Sequence, residues 1–187
     1  LLATSQGIAF VHAGCEMGRS KWVPAAMGEA TSANGGGRYY VYNSYDASDA
    51  VNGIDWTLLS GGDGAALAAY VRGLYALRAS SDAFRLGSRA LAATHVTALD
   101  ATRRDAFAYR VVDAAGANTF SVFVNAGTAP ITLTTPAGVD LTAGTVVVDD
   151  DEAGAGAVAA PSGFSALAAT SVTLAARSAL VIRNAAP

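Results

Sequence analysis

The sequence predicts a mainly β protein with an α/β N-terminal part, and three observations carry that prediction. Residues 8–12 (IAFVH) form a short, continuous apolar run closed by Ala13-Gly14, the pattern of a strand buried on both faces as in a parallel sheet. Residues 65–79 place Leu67, Tyr70, Val71, Leu74 and Leu77 on one face at helical spacing. From about Leu86 onward, short apolar runs are punctuated by glycine and proline, as in an antiparallel sandwich of about 100 residues.

Taken in order, residues 1–5 suit the last turn of a helix, and Gln6-Gly7 stops it. The strand over residues 8–12 needs parallel neighbours that this sequence does not contain. They lie on another chain or upstream of a cut N-terminus, and the second expectation is the one favoured. Residues 15–64 then run with little periodicity through Gly35-Gly36-Gly37, a tyrosine cluster (Tyr39, Tyr40, Tyr42, Tyr45) and many Asn, Asp and Ser residues. A stretch this long without periodicity is functional or disordered, and its aromatics together with Ile54 and Trp56 argue against disorder. Asp63 is the expected cap of the helix over 65–79, with Arg72 and Arg78 off its apolar stripe. Phe107, Tyr109 and Val111 alternate with Ala106, Ala108 and Arg110, and Phe120, Val122 and Val124 repeat the pattern beyond a turn at residues 113–118. These two runs read as a hairpin. Further strands are expected at residues 131–134, 145–148, 172–174 and 179–182. Residues 149–161, acidic and then rich in Ala and Gly, read as an exposed, mobile loop.

Composition narrows the function. The 187 residues are 52% hydrophobic and 14% charged, which excludes a disordered or collagen-like chain. A net charge of −3 with scattered arginines excludes the basic footprint of a nucleic-acid binder. No apolar run approaches the roughly 18–20 residues of a membrane helix, and no basic segment precedes residues 8–12 as a secretory signal requires. Compartment is otherwise not legible. Cys15, the single cysteine, excludes an intrachain disulfide. The length excludes a full (β/α)8 barrel of about 250 residues with a domain appended.

Candidate chemistry lies before the helix. His12, Cys15 and Glu16 sit at the end of the expected strand, where parallel sheets place ligands. Their spacing matches no metal-ligand pattern, and Cys15 with His12 lacks an orienting third group. His12 and Glu16 either hold the long loop by hydrogen bonds or touch substrate. Gly35-Gly36-Gly37 precedes no capped helix and is not a phosphate cradle. Residues 149–152 (DDDE) read as a solvated run, with calcium a minor alternative. More telling is the segment with Asn43, Tyr45, Asp46, Asp49, Asn52, Asp55 and Trp56. Aromatic platforms and planar amides or carboxylates are what sugar hydroxyl pairs require, although a polar loop pinned by tyrosines has the same composition.

Three ordered motifs carry a resemblance. GIAFVHAGCEMGRSK (residues 7–21) is followed by NSYDASDAVNGIDW (residues 43–56) and by a helix with Tyr70, Gly73, Leu74, Ala76, Leu77, Arg78, Ala83, Phe84, Arg85 and Leu86. Together they resemble the pullulanase-type, debranching branch of the α-amylase superfamily, glycoside hydrolase family 13. The terminal ARSALVI (residues 176–182) looks like the closing strand of that family's C-terminal β-domain.

The resemblance implies a C-terminal portion of such an enzyme. Residues 1–86 would be the last βα unit of the catalytic (β/α)8 barrel, and residues 87–187 the antiparallel β-sandwich. The implied reaction is retaining hydrolysis of α-1,6 linkages, and the implied partner an α-glucan: pullulan, starch, glycogen or limit dextrins. Family enzymes take their catalytic carboxylates from barrel strands four, five and seven, so this chain would hold no catalytic residue and would be inactive alone. Its implied substrate-binding residues are Asp49, which resembles an aspartate bonded to a glucose near subsite −2, with Asn52, Tyr45 and Asn43. Asn43, Ser44 and Tyr45 also read as ordering the loop. Arg19 and Lys21 read as structural, pairing with loop carboxylates. No cofactor is implied. Family enzymes often bind calcium, but no site for it is legible. Two departures stand out. Gly53 occupies a position where many relatives carry arginine. Residues 22–42 look inserted, and their Trp22, Tyr39 and Tyr40 either form a stacking wall or cover the barrel rim. The alternative reading is a non-catalytic carbohydrate-binding or structural β-module.

Overall fold

The structure, a computed structural model, describes residues 1–23, 29–30, 39–40, 43–136 and 139–185. It divides into two compact units, Leu1–Phe10 with Tyr70–Pro187, and Val11–Ala69.

In the smaller unit, a 3-10 turn over Cys15–Met17 buries Met17, and three short strands follow: β1 (Trp22–Val23), β2 (Glu29–Ala30) and β3 (Tyr39–Tyr40). They pair antiparallel in the order β1-β3-β2, with Trp22 opposite Tyr40 and Val23 opposite Tyr39. The described residues of the inserted-looking segment 22–42 are therefore strands of a small sheet. Gly35-Gly36-Gly37 and Tyr42 lie outside the described residues. A four-residue helix, α1 (Asp49–Asn52), and a 3-10 turn over Trp56–Ser60 lead to α2 (Gly62–Ser80). Asp63 lies in the first turn of α2 rather than at its cap, because the helix begins a residue earlier at Gly62.

The larger unit is built on two sheets. After α3 (Arg89–His95) come β4 (Val96–Asp100), β5 (Ala106–Val112), β6 (Asn118–Asn125), β7 (Ile131–Thr134), β8 (Thr145–Val148), β9 (Phe164–Ala168), β10 (Ser171–Leu174) and β11 (Ser178–Ala185). One sheet runs β4-β5-β6-β11-β8 and the other β7-β10-β9, and each pairing within them is antiparallel. The expected hairpin is present with Val111 opposite Phe120. Its turn is organised by Asp113, whose carboxylate accepts from the Ala117 and Asn118 amides at 2.7 and 3.0 Å.

Both faces of the five-stranded sheet are buried. On one face Val111, Phe120, Val122, Val148 and Val181 pack with Leu77, Phe84 and Leu86, and partly with Tyr70 and Leu74 of α2. The Phe84 and Phe120 rings meet at 4.9 Å. On the other face Ala106, Ala108, Phe123, Leu180 and Ile182 share a core with Leu133, Val172 and Leu174 of the second sheet. This two-sided burial explains why Ala106 and Ala108, on what reads in sequence as the weaker face of β5, are less than 2% exposed. Small side chains are what close packing against a second sheet demands.

Two expectations are corrected, and two features go beyond the sequence. No strand forms over residues 8–12: a strand needs a laterally bonded neighbour, and none of the described residues supplies one. Ile8 and Phe10 are instead 93% and 86% exposed. The helix α3 and the strands β4 and β9 are present although the sequence did not announce them. Residues 149–161 are tied down: Asp149 N donates to Glu152 O, Gly154 N to Val147 O and Val158 N to Val146 O at 2.9–3.0 Å. Arg78 adds a feature of its own. It is buried, and its guanidinium donates to the carbonyls of Ala3, Ser5 and Gly7 at 3.0, 2.7 and 2.5 Å. The N-terminal turn, in which Thr4 N and Ser5 N both donate to Leu1 O, is held further by Tyr109 Oη donating to Thr4 O at 2.8 Å. Gln6 adds a two-way bond, donating to Ala83 O at 2.6 Å and accepting from Leu86 N at 3.1 Å.

Candidate functional site

The sugar-type residues of the sequence cluster on residues 43–56, and their geometry separates two roles. Asn52, the last residue of α1, is the hub. Its amide nitrogen donates to Ser44 O at 2.7 Å and Ala47 O at 2.9 Å, while its amide oxygen accepts from Lys21 Nζ at 2.9 Å. Lys21 also donates to Ser44 Oγ at 2.9 Å. Asn43 closes an Asx turn by accepting from Tyr45 N at 3.1 Å. A planar amide with a donor pair on one side and an acceptor on the other can bridge three strands of loop at once, which is why asparagine suits this position.

Arg19 completes the frame. It donates to Ala13 O at 3.1 Å and to Asn52 O, while Glu16 Oε2 accepts from Gly14 N at 2.8 Å. Arg19 and Lys21 are structural as the sequence suggests, but their partners are carbonyls, a hydroxyl and an amide rather than carboxylates. The acidic residues of the loop face outward instead. Of the first candidates, Glu16 is thus bonded within its own turn. His12 and Cys15 have exposed side chains, and the His12 carbonyl accepts from Cys15 N at 3.1 Å.

What this frame presents is the other role. Asp49 opens α1 with its side chain exposed and, among the described residues, no hydrogen bond to its carboxylate. Tyr45 is 92% exposed and Trp56 63%. Asp55 is spent locally: its carboxylate accepts from Thr57 N at 2.9 Å and Thr57 Oγ1 at 2.5 Å, bonds that hold its pKa below the ordinary carboxylate value. Gly53 has a backbone reason. A Cβ there would lie 2.6 Å from the Asp49 carbonyl, so no side chain fits this α1 geometry without a shift.

Among the described residues, Asp149, Asp150 and Asp151 are the acidic group whose oxygens approach one another within 4.8 Å. Asp149 is buried and already committed to the backbone, accepting from Glu152 N at 2.7 Å, Asp151 N at 3.2 Å and Ser162 N at 2.9 Å. Its donor set is that of a loop staple. No helix among the described residues is long and apolar enough to cross a membrane.

Residues 94–185 match the family model described as SpuA C-terminal. Pullulanase A of Streptococcus pneumoniae is 36% identical over 109 residues, an alignment that takes in 47% of this chain and 9% of that protein. The pullulanase SAP of Group B Streptococcus, solved with maltotetraose, superposes on 98% of this chain with a TM-score of 0.86 at 30% identity. The chain is similar to the C-terminal part of pullulanases. It spans only 26% of SAP. The multi-modular, glycogen-degrading pneumococcal virulence factor SpuA, solved as a product complex, gives a TM-score of 0.84 at 28% identity, again over 98% of this chain and 21% of that one. The mainly β architecture expected from the sequence is that of the pullulanase C-terminal module.

The loop is legible in the sequence, but the bonds that close it are not. The Asn52 amide, expected at sugar, is engaged within the loop. The signal available was its spacing from Ser44 and Lys21, which only matters once the loop is closed.

Proposed function

We propose that this chain supplies the substrate-positioning end of a retaining α-1,6-glucan-debranching hydrolase. Residues 1–86 are the last βα unit of its (β/α)8 barrel and residues 87–187 its C-terminal β-sandwich. The observation that carries this reading is the closed loop around Asn52, which leaves the Asp49 carboxylate and the Tyr45 ring exposed, with no side-chain hydrogen bond among the described residues. The unpaired, exposed apolar run at Ile8 and Phe10 supports the barrel assignment, since it is what a buried strand leaves when its neighbours belong elsewhere.

The chemistry follows from the site. A carboxylate takes two hydroxyl hydrogen bonds from adjacent sugar positions, so Asp49 fixes one glucose in orientation, and Tyr45 offers a flat apolar face to a ring. Asn52, Asn43, Ser44 and Lys21 hold these two in place. Retaining hydrolysis needs a nucleophile and an acid about 5–5.5 Å apart flanking the scissile bond. We assign both to barrel strands outside this chain, and Glu16, bonded to its own turn, is not one of them. The substrate is an α-glucan such as pullulan, glycogen, starch or a limit dextrin.

Hydrolysis assays on pullulan test this in two arms. The purified chain alone releases no reducing ends, and turnover by it would overturn the assignment of catalysis to other strands. In the complete enzyme, Asp49→Ala weakens glucan binding by about 1–3 kcal/mol, the usual loss of a charged hydrogen bond. Unchanged KM and kcat would remove Asp49 from the site.

A further inference from the structure

We propose that Trp22 and Tyr40 form a stacking platform for outlying glucose rings of the α-glucan, an accessory subsite beside the loop that carries Asp49. The inference deepens the function proposed above and rests on it. In sequence these aromatics read either as a stacking wall or as a cover, and composition does not choose between the two. The register does. Trp22 on β1 stands directly opposite Tyr40 on β3, and Val23 stands opposite Tyr39. Side chains alternate faces along a strand, so Trp22 and Tyr40 share one face of the pair and Val23 and Tyr39 the other. The second face is the covered one: Val23 is 7% exposed and Tyr39 half-buried. The first is open, with Trp22 42% and Tyr40 37% exposed. A pair of strands that served only as a cover would turn its largest side chain inward. Here the largest, Trp22, is turned out.

Residues directly opposite in an antiparallel pair hold their Cβ atoms about 4.5–5.5 Å apart. Two rings at that spacing make an apolar surface longer than either ring alone. A glucose ring in a glucan has an apolar face of C–H groups and a rim of hydroxyls. It stacks on an aromatic surface through the first and leaves the second to water or to hydrogen-bonding side chains. What selects a glucan over another apolar partner is the neighbouring chain. Lys21 immediately precedes Trp22, and its ammonium donates to Ser44 Oγ and Asn52 Oδ1, each at 2.9 Å. The strand β1 therefore begins one residue from the frame that presents Asp49 and Tyr45, within the same compact unit. An exposed carboxylate suits hydroxyl pairs and an exposed aromatic pair suits ring faces, so the two features serve one ligand chemistry. Two side chains are also far short of the roughly 20–30 residues a side that a stable protein interface uses.

The test is steady-state kinetics of the complete enzyme on pullulan and on a tetrasaccharide of two maltose units joined α-1,6, with glycogen affinity electrophoresis alongside. Trp22→Ala and Tyr40→Ala each raise KM for pullulan about three- to tenfold and leave kcat within about twofold, the pattern of binding lost from ground and transition states alike. Trp22→Phe, which keeps a flat ring, stays within about twofold of wild type. KM for the tetrasaccharide, whose rings are used up at the scissile bond, stays unchanged in all three. A merely structural role raises both KM values together, and that result overturns the proposal, as does an unchanged KM for pullulan. If Trp22→Ala does not fold, Tyr40→Ala decides by the same comparison. Electrophoresis separates the platform from the function it rests on. Loss of retardation by glycogen in the Trp22→Ala, Tyr40→Ala double variant sustains the platform even in an enzyme that does not cleave pullulan. Cleavage of pullulan with retardation unchanged in that variant overturns the platform and leaves the proposed function standing.

Discussion

Asp149 shows how much a single carboxylate carries. It is fully buried, and its burial pushes its pKa up, yet the amides of Glu152, Ser162 and Asp151 and the Ser162 hydroxyl outweigh this and hold it below the ordinary carboxylate range. Beside it Tyr70 Oη donates to the Asp149 carbonyl at 2.8 Å, and burial, with the charges of Asp149, Asp150 and Asp151, pushes that phenol up to about 12. In the sequence the four adjacent acids read as a solvated run, because nothing in DDDE says which one turns inward. Asp149→Asn puts a second donor against the Ser162 amide and should destabilise the chain by about 1–3 kcal/mol at pH 7. The pH dependence has a definite sign. A depressed carboxylate contributes stability that is complete above its unfolded value of about 4 and is lost as pH falls through its folded value. Urea unfolding at pH 7 and at pH 3 should therefore show the gap between wild type and variant narrowing in acid. An equal gap at both would mean that Asp149 is not the staple.

At the scale of elements, the strands with β-branched and aromatic alternation were legible, and those built on alanine were not. Residues 107–111 and 120–124 announce a hairpin because large and small side chains alternate. The helix α3 (RALAATH) and the strand β9 (FSALA) lack that contrast, since alanine fits either face of either element. The helix α2 forms where the apolar spacing predicts it, and of that stripe Leu77, Tyr70 and Leu74 reach the core while Leu67 is exposed. A second contact of α2 has no signal in the spacing. Gly73 lies against the loop that follows β8, where a Cβ would overlap the Ala153 carbonyl. Two effects oppose in Gly73→Ala. Helix propensity favours alanine by about 1 kcal/mol, whereas forcing a backbone carbonyl aside in a packed region costs roughly 1–3 kcal/mol. The carbonyl belongs to a loop bonded to Val147 and Glu152 and cannot give way freely, so the clash wins and Gly73→Ala lowers the melting temperature. A rise on thermal denaturation would mean that the loop yields.

For the whole molecule, the decisive question is what covers the apolar run at residues 8–12. The sequence was informative here because it reported burial that the chain by itself does not provide: five apolar or weakly polar residues in a row, of which Ile8 and Phe10 stand 93% and 86% exposed. The candidate site is legible only as a collection of residue types, since the split between Asn52 as hub and Asp49 as an exposed carboxylate depends on loop closure across residues distant in sequence. If residues 8–12 are a barrel strand, the same substitution must act oppositely in two contexts. In the chain alone, Ile8→Asn with Phe10→Asn removes exposed apolar surface and should leave the melting temperature unchanged while reducing self-association, read by sedimentation over a concentration series. In the complete enzyme the two side chains are core, and each substitution should cost about 2–5 kcal/mol, enough to lower the melting temperature by many degrees. Solubilisation in the first context with destabilisation in the second is the pattern a buried strand requires. Equal tolerance in both would show that residues 8–12 face solvent in the enzyme as well, and the barrel assignment would fall.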